Sequence, residues 1–307
     1  MPALRPLAIS RMQGSVAPPA GDGRGCNPAP SHAFPLQEGR RRAARAKGKR
    51  FIGMARFTDK VVVVTGAASG IGEGAARRFA AEGASLVLND RNAEGLEALA
   101  ASLSGTPVET VAGDVSRMAD CEAIVARALE RFGRLDVLVN NAGVDHLGKL
   151  DEGDFSAFTT VIESDVYGVV QMSRAAIAPL RAARGSIVNV SSVSGLGGDW
   201  NHSFYCAAKG AVTNFTRALS LDEAKHGVRV NAVNPSLTYT GLTAGMQEQP
   251  DLIAEFETRI PMGRGAQPDD IAGPIAFLAS EDARFVTGVN LAVDGGLSAS
   301  NGQPPLR

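Results

Sequence analysis

Val61–Gly72 reads VVVVTGAASGIG, and the interpretation of this stretch decides the fold. Four consecutive valines make a short, continuously apolar run, the pattern of a strand buried on both faces of a parallel sheet. The run ends at Thr65-Gly66 and passes into a loop with glycines at 66, 70 and 72. Beyond it the pattern turns helical, with Ala75, Ala76, Phe79 and Ala80 on one face, until Gly83 stops it. Strand, glycine-rich turn and helix start together suit a dinucleotide pyrophosphate. Backbone can approach the phosphates closely there, and the free N–H groups of the helix start face their charge. The glycines alone are equally compatible with a plain tight turn, and the downstream sequence separates the two.

A chain of 307 residues, 44% of them hydrophobic, can build one sizeable α/β domain or two small ones. A net charge of −1 offers no global attraction to nucleic acid or to an anionic membrane surface. Cys26, Cys121 and Cys206 are far apart and lack metal-ligand spacing. They suit a reducing cytoplasm better than a disulfide framework. No apolar run approaches the roughly 18–20 residues that span a bilayer.

Residues 1–53 stand apart. Pro, Gly, Ser and Arg dominate, Arg40-Arg41-Arg42 among them, and no apolar periodicity is visible. Such a segment cannot bury enough surface to offset its ordering entropy, so a disordered basic leader is expected. A native tail, an organelle-targeting signal, and an artefact of start-site choice with Met54 as the true start all stay open. The folded domain is expected over residues 54–300, with a short tail over 301–307.

From Thr58 onward the pattern alternates strand and helix. Ser85–Asn89 is a second buried strand, followed at once by Asp90. This acid lies about where a dinucleotide fold grips the adenosine ribose hydroxyls. A carboxylate there repels a 2′-phosphate and favours NAD over NADP, although Arg91 could soften the repulsion and Asp90 could equally cap the next helix. Val108–Ala112 is a third strand, ending in Gly113-Asp114-Val115. Ser116 then reads as the cap of a helix that buries Ile124, Val125, Ala128, Leu129 and Phe132. Leu135–Val139, a fourth strand, runs into Asn140-Asn141-Ala142-Gly143. Strands alternating with helices imply right-handed crossovers and a doubly wound parallel sheet with helices on both faces.

These residues resemble the short-chain dehydrogenase/reductase family. Its TGxxxGxG stands as Thr65–Gly72, its NNAG as Asn140–Gly143 and its YxxxK as Tyr205–Lys209, with Ser192 thirteen residues ahead of the tyrosine. Pro261–Arg264, Pro268–Ala272, Phe277–Ser280, Thr287-Gly288 and Val293–Gly296 match as well, so the likeness covers roughly residues 58–298. It implies a single Rossmann-type domain of about seven strands in the order 3-2-1-4-5-6-7. It also implies a nicotinamide dinucleotide and the interconversion of a secondary alcohol and a ketone. Gly66, Ser69, Gly70, Ile71 and Gly72 would meet the pyrophosphate and Asp90 the ribose. Asp114, Val115, Asn141, Ala142 and Gly143 would line the nucleotide's path, and Pro235, Thr238 and Thr240 its nicotinamide end.

Tyr205 and Lys209 lie in FYCAAKGAVTNFTRALSL, a stretch with few helix breakers, and an i, i+4 spacing stacks them on one face. An ammonium beside a phenol, together with the positive nicotinamide ring, favours phenolate and pulls the tyrosine pKa down from about 10 toward working pH. The resemblance then makes Tyr205 the proton acceptor or donor, Lys209 a ligand of the nicotinamide ribose, and Ser192 the holder of the substrate oxygen. Two positions depart from the family. Asp165 occupies the site of an asparagine that helps hold a water in the proton path from the lysine. If the backbone carbonyl does the holding, an aspartate substitutes with little loss; if the side chain does, it could trap Lys209 in an ion pair, and an active enzyme with a shifted pH optimum is expected. Asn234-Pro235-Ser236 replaces the usual Pro-Gly.

Val144–Leu147, Ser194–Phe204 and Gly241–Ile260 would shape the substrate pocket, with Trp200 and His202 either facing substrate or merely packed and solvated. No histidine pair suggests a metal site. By family analogy the long helices near Phe155–Leu180 and Phe204–Lys225 would pair chains into a homodimer or homotetramer. The reading is an NAD-dependent oxidoreductase acting on a small-molecule alcohol or carbonyl. An NADP-dependent 3-oxoacyl-carrier-protein reductase and a catalytically inactive dinucleotide-binding scaffold are the alternatives.

Overall fold

The structure, a computed structural model, describes residues 55–152 and 155–303. The leader expected over residues 1–53 lies outside the described residues.

Seven parallel strands form one sheet in the order β3-β2-β1-β4-β5-β6-β7, as expected. They are β1 (Val61–Thr65), β2 (Ser85–Asp90), β3 (Val108–Ala112), β4 (Val137–Asn140), β5 (Ser186–Val190), β6 (Arg229–Pro235) and β7 (Asn290–Val293). The four valines explain the layering. Successive strand residues point to opposite faces, so Val62 and Val64 enter one core while Val61 and Val63 enter the other. The first core is closed by α1 (Gly70–Ala81), α2 (Ala93–Ser102) and α9 (Pro268–Ala279), through Ala75, Ala76, Phe79, Leu96, Ile271 and Ile275. The second is closed by α3 (Met118–Phe132) and α5 (Gly168–Ala183), through Ile124, Val125, Met172, Ala176 and Leu180. Each fully buried valine contributes roughly 1.5–3 kcal/mol relative to exposure.

α4 (Phe155–Val161) runs through a π-helical turn, Ile162–Tyr167, directly into α5. Where one long helix was expected, the wider turn interrupts it and carries Asp165. α6 (Ser203–Glu223) packs against β6, and the short helices α7 (Ala244–Gln247) and α8 (Pro250–Arg259) follow β6.

Several local expectations are corrected. Ser116 does not cap α3. Its N–H is taken by the Asp114 carboxylate at 2.9 Å, and the helix starts two residues later behind Arg117. Leu129 is 40% exposed and Phe132 only part-buried, because the buried stripe of α3 runs through Cys121, Ile124, Val125 and Ala128. β4 begins at Val137 rather than Leu135; at this end the Asp136 main chain still bonds Val61 and Ser186, but the Val61 N–H goes to the Asp136 carboxylate and not to a strand carbonyl. Nor does Asp90 cap α2. Asn92 does so, accepting the Gly95 N–H at 3.0 Å.

Candidate active site

The carboxyl ends of β1, β2, β4, β5 and β6 open on one cleft of about 910 Å³. Ligands of open α/β sheets sit at such an edge, where the strand order reverses between β1 and β4.

The glycine loop forms one wall. Gly66 has φ +62°, a conformation that side chains rarely adopt. A Cβ at Gly72 would stand 2.0 Å from the Gly66 carbonyl oxygen, so the turn folds back on its own backbone there. Gly66, Ser69, Gly70 and Ile71 line the cleft, whereas Gly72 is buried behind them. Asn141 locks the loop from the next strand. Its amide donates to the Thr65 and Gly66 carbonyls at 3.0 Å each, and the Thr65 hydroxyl accepts the N–H groups of Asn141 and Ala142. Ser69 caps α1 without a side-chain hydrogen bond, leaving the N–H groups of the first turn toward the cleft.

Asp90 ends β2 on the cleft with each carboxylate oxygen taking one backbone N–H, Ala68 on Oδ2 at 3.1 Å and Asn92 on Oδ1 at 3.0 Å. An ionised carboxylate can accept several more bonds than that. Arg91 turns away toward Asp114, at 3.8 Å. Asp114 and Val115 border a smaller side pocket with Asp90, Ala142 and Gly143. Pro235, Thr238 and Thr240 line the far wall of the main cleft.

Those features fit a dinucleotide. A turn stripped of side chains meets an open helix start, an acid with spare acceptor capacity lies at the end of the adjacent strand, and a cleft of sufficient size joins them.

Ser192, Tyr205 and Lys209 all line the same cleft. Ser192 follows β5; its hydroxyl donates to the Ser194 hydroxyl at 3.2 Å, accepts the Ser194 N–H at 3.1 Å, and acts to lower the pKa of the Tyr205 phenol. The neighbouring Ser191 turns the other way, into α6, where it bonds the Lys209 carbonyl and the Thr213 hydroxyl. Asn234 on β6 clamps the serine backbone by donating to the Ser192 carbonyl at 2.8 Å. The Lys209 ammonium lies 5.4 Å from the centre of the Tyr205 ring. It donates to the Val190 carbonyl at 3.3 Å and forms an ion pair of 2.8 Å with Asp165, both side chains being buried. The second Asp165 oxygen accepts the Val144 N–H at 2.8 Å, tying the π-helical turn to the end of the NNAG segment.

The electrostatics differ from those expected of a lone Tyr–Lys pair. Burial pushes the Tyr205 phenol up. Lys209 opposes this, Asp165 adds to it, and the net shift is upward. Burial alone would lower Lys209, but the Asp165 carboxylate, followed by Tyr205, outweighs it and holds the ammonium charged.

Behind the site runs a buried polar ladder that periodicity did not reveal. Asn140 donates to Ser173 and Asn189, and Asn189 to Thr216. The signal was present as an asparagine near the end of successive strands. On the substrate side Trp200 is 86% exposed at the rim, and His146 stacks on Phe204. Among the described residues no cluster of three or more metal-ligating side chains exists, and no helix is long and apolar enough to cross a membrane.

Comparison with known proteins agrees with this geometry. Residues 66–298 match a family model described as enoyl-(acyl carrier protein) reductase. The chain is 47% identical to meso-2,3-butanediol dehydrogenase of Serratia marcescens over 251 residues, 82% of this chain and 99% of that one. It is 45% identical to cis-4-hydroxycyclohexanecarboxylate dehydrogenase of Sinomonas cyclohexanicum, over 79% of this chain and 98% of that enzyme. Among solved structures, that of levodione reductase superimposes with a TM-score of 0.77 at 36% identity, covering 80% of this chain and all of the other. Identity at this level, sustained over nearly the whole length of these enzymes, means that the chain belongs to the short-chain dehydrogenase/reductase family of nicotinamide-dependent oxidoreductases.

Proposed function

We propose that the protein is an NAD-dependent dehydrogenase that interconverts a secondary alcohol and a ketone. The observation that carries this reading is the meeting of Ser192, Tyr205 and Lys209 beside the glycine loop. When bound, the nicotinamide supplies the acceptor for the hydride leaving the carbinol carbon, or its donor in reverse. Tyr205 takes the proton from the substrate hydroxyl as that hydride leaves, and returns it in the other direction. Ser192 holds the substrate oxygen and stabilises the charge that develops on it. Lys209, anchored by the Val190 carbonyl, stabilises the Tyr205 phenolate and would hold the nicotinamide ribose. Asp165 partly offsets that help, since its charge raises the phenol. Oxidation therefore gains rate as pH rises into the alkaline range where Tyr205 ionises.

The preference for NAD rests on Asp90, whose oxygens face the cleft with acceptor capacity to spare, and on Arg91 being directed at Asp114. The exposed apolar side chains Phe155, Tyr167 and Leu221 on the α4–α6 face suit self-association into dimers or tetramers. Initial rates with secondary alcohols, measured with NAD and with NADP, test the proposal. Turnover should favour NAD by roughly tenfold or more, equivalent to about 1.4 kcal/mol. Preference for NADP would overturn the role of Asp90, and no turnover with either would overturn the enzyme reading itself.

A further inference from the structure

The reaction centre accounts for one oxygen of a substrate. The same cleft holds a second polar pair that this centre does not use. Asp145 Oδ1 lies 3.4 Å from His202 Nε2, and the His202 ring centre is 5.9 Å from that of Tyr205. Both side chains line the cleft, and the main chain sets their separation. The Gly148 N–H donates to the Asn201 carbonyl at 2.7 Å, and Gly148 pairs with His202 as an isolated parallel bridge. The segment after NNAG is thereby tied to the turn that opens α6.

Asp145 has no other side-chain partner among the described residues. Asp199, the other acid on this side, is already engaged by the Ser194 hydroxyl at 2.8 Å. The His202 ring is held between the Asp145 carboxylate and the Trp200 backbone, and both raise its pKa and favour the charged ring, Asp145 the more. Its N–H groups are thereby used to fix Asp145, whose carboxylate keeps acceptor capacity toward the cleft. Such a fixed carboxylate matches a hydroxyl group. Its closeness to Tyr205 suits an oxygen on the carbon next to the reacting one. Two carboxylates, Asp145 and Asp199, disfavour an anionic substrate on this side. Arg259, exposed on α8 at the rim, is the cation such a substrate would need.

We propose that Asp145 and His202 form a second hydroxyl-binding subsite, so that the preferred substrates are neutral vicinal diols, or α-hydroxy ketones in the reverse direction. This rests on the reading of Ser192 and Tyr205 as the groups that hold the reacting oxygen. The test compares kcat/KM of the purified full chain for meso-2,3-butanediol, for 2-butanol, which lacks one hydroxyl, and for cis-4-hydroxycyclohexanecarboxylate. The diol should exceed 2-butanol by about ten- to a hundredfold, the range expected when a hydrogen bond to a charged group is lost. In Asp145→Ala and His202→Phe that ratio should fall toward one, with thermal unfolding of each variant confirming that it is folded. Equal kcat/KM for the diol and 2-butanol in the unmutated chain, which needs no variant, would overturn the subsite while leaving the dehydrogenase reading intact. So would a preference for the carboxylate substrate, or a diol ratio that survives both substitutions. Failure of the underlying reading looks different, with no alcohol of any kind being turned over.

Discussion

Around the glycine loop, the polar groups that matter are bonded to main chain within a residue or two of a strand end. Asp90 accepts the Ala68 and Asn92 N–H groups, and the Asn141 amide donates to the Thr65 and Gly66 carbonyls. Across the cleft, Asp145, Asp199 and His202 come from irregular segments and are engaged mainly by other side chains. The end proposed to hold the nucleotide is therefore specified by backbone geometry and tolerates little change. The substrate end is specified by side-chain pairs and can be rebuilt without disturbing the sheet. This division suits a fold that keeps one cofactor and varies its substrate.

Substitution at the rigid end should have the largest effect. In Gly72→Ala the new methyl would meet the Gly66 carbonyl at 2.0 Å and the Asn141 amide at 2.5 Å. Loss of dinucleotide binding is expected, together with about 1–3 kcal/mol of stability, read by nucleotide titration and denaturant unfolding. Unaltered binding would show the loop to be softer than its geometry implies. A more selective lesion is Asp90→Asn, which removes the charge and keeps an amide oxygen to accept the Ala68 N–H of the loop. Discrimination between NAD and NADP should shrink by roughly tenfold, the effect of losing about 1.4 kcal/mol of differential binding. A ratio that does not move would assign the preference elsewhere.

Asp165→Asn probes the junction between the two ends. Asp165 raises the Tyr205 phenol, and alcohol oxidation needs the phenolate, so removing the charge should move the acid limb of the pH–rate profile to lower pH. An unchanged profile would dismiss the side chain's role. A shift to higher pH would mean that Lys209, buried without its partner, loses its proton and with it its hold on the phenolate. The smallest effect belongs to the pliable rim. Trp200→Ala should leave stability within about 0.5 kcal/mol, as for most exposed positions. Its KM for bulky alcohols should change by only a few-fold.

The same division explains what could be read from the residues alone. The alternation of strand and helix and the Tyr205–Lys209 stacking followed from short-range patterns: an unbroken run of valines, a glycine spacing, an i, i+4 pair, whereas the strand order came from the family resemblance. Strand ends drifted by a residue or two because side chains such as Asp136 compete for the terminal ladder bonds. The π-helical turn at Ile162–Tyr167 was not legible, since one widened turn hardly disturbs helical periodicity. Asp165 stood out in sequence and proves to be paired with Lys209, as feared for a carboxylate there. In the protein alone, burial, which no local pattern reports, outweighs the ammonium and raises the Tyr205 phenol. The pairing of Asp145 with His202 was equally hidden, being a contact between two loops far apart in the chain.

The most direct measurement is turnover by Tyr205→Phe alongside its affinity for NADH. Phenylalanine keeps the ring against Lys209 and removes only the ionisable oxygen. A fall in kcat of about 10²–10⁴-fold, the usual contribution of a positioned acid–base group, is expected, with nucleotide binding retained. Turnover close to that of the unmutated chain would contradict the account.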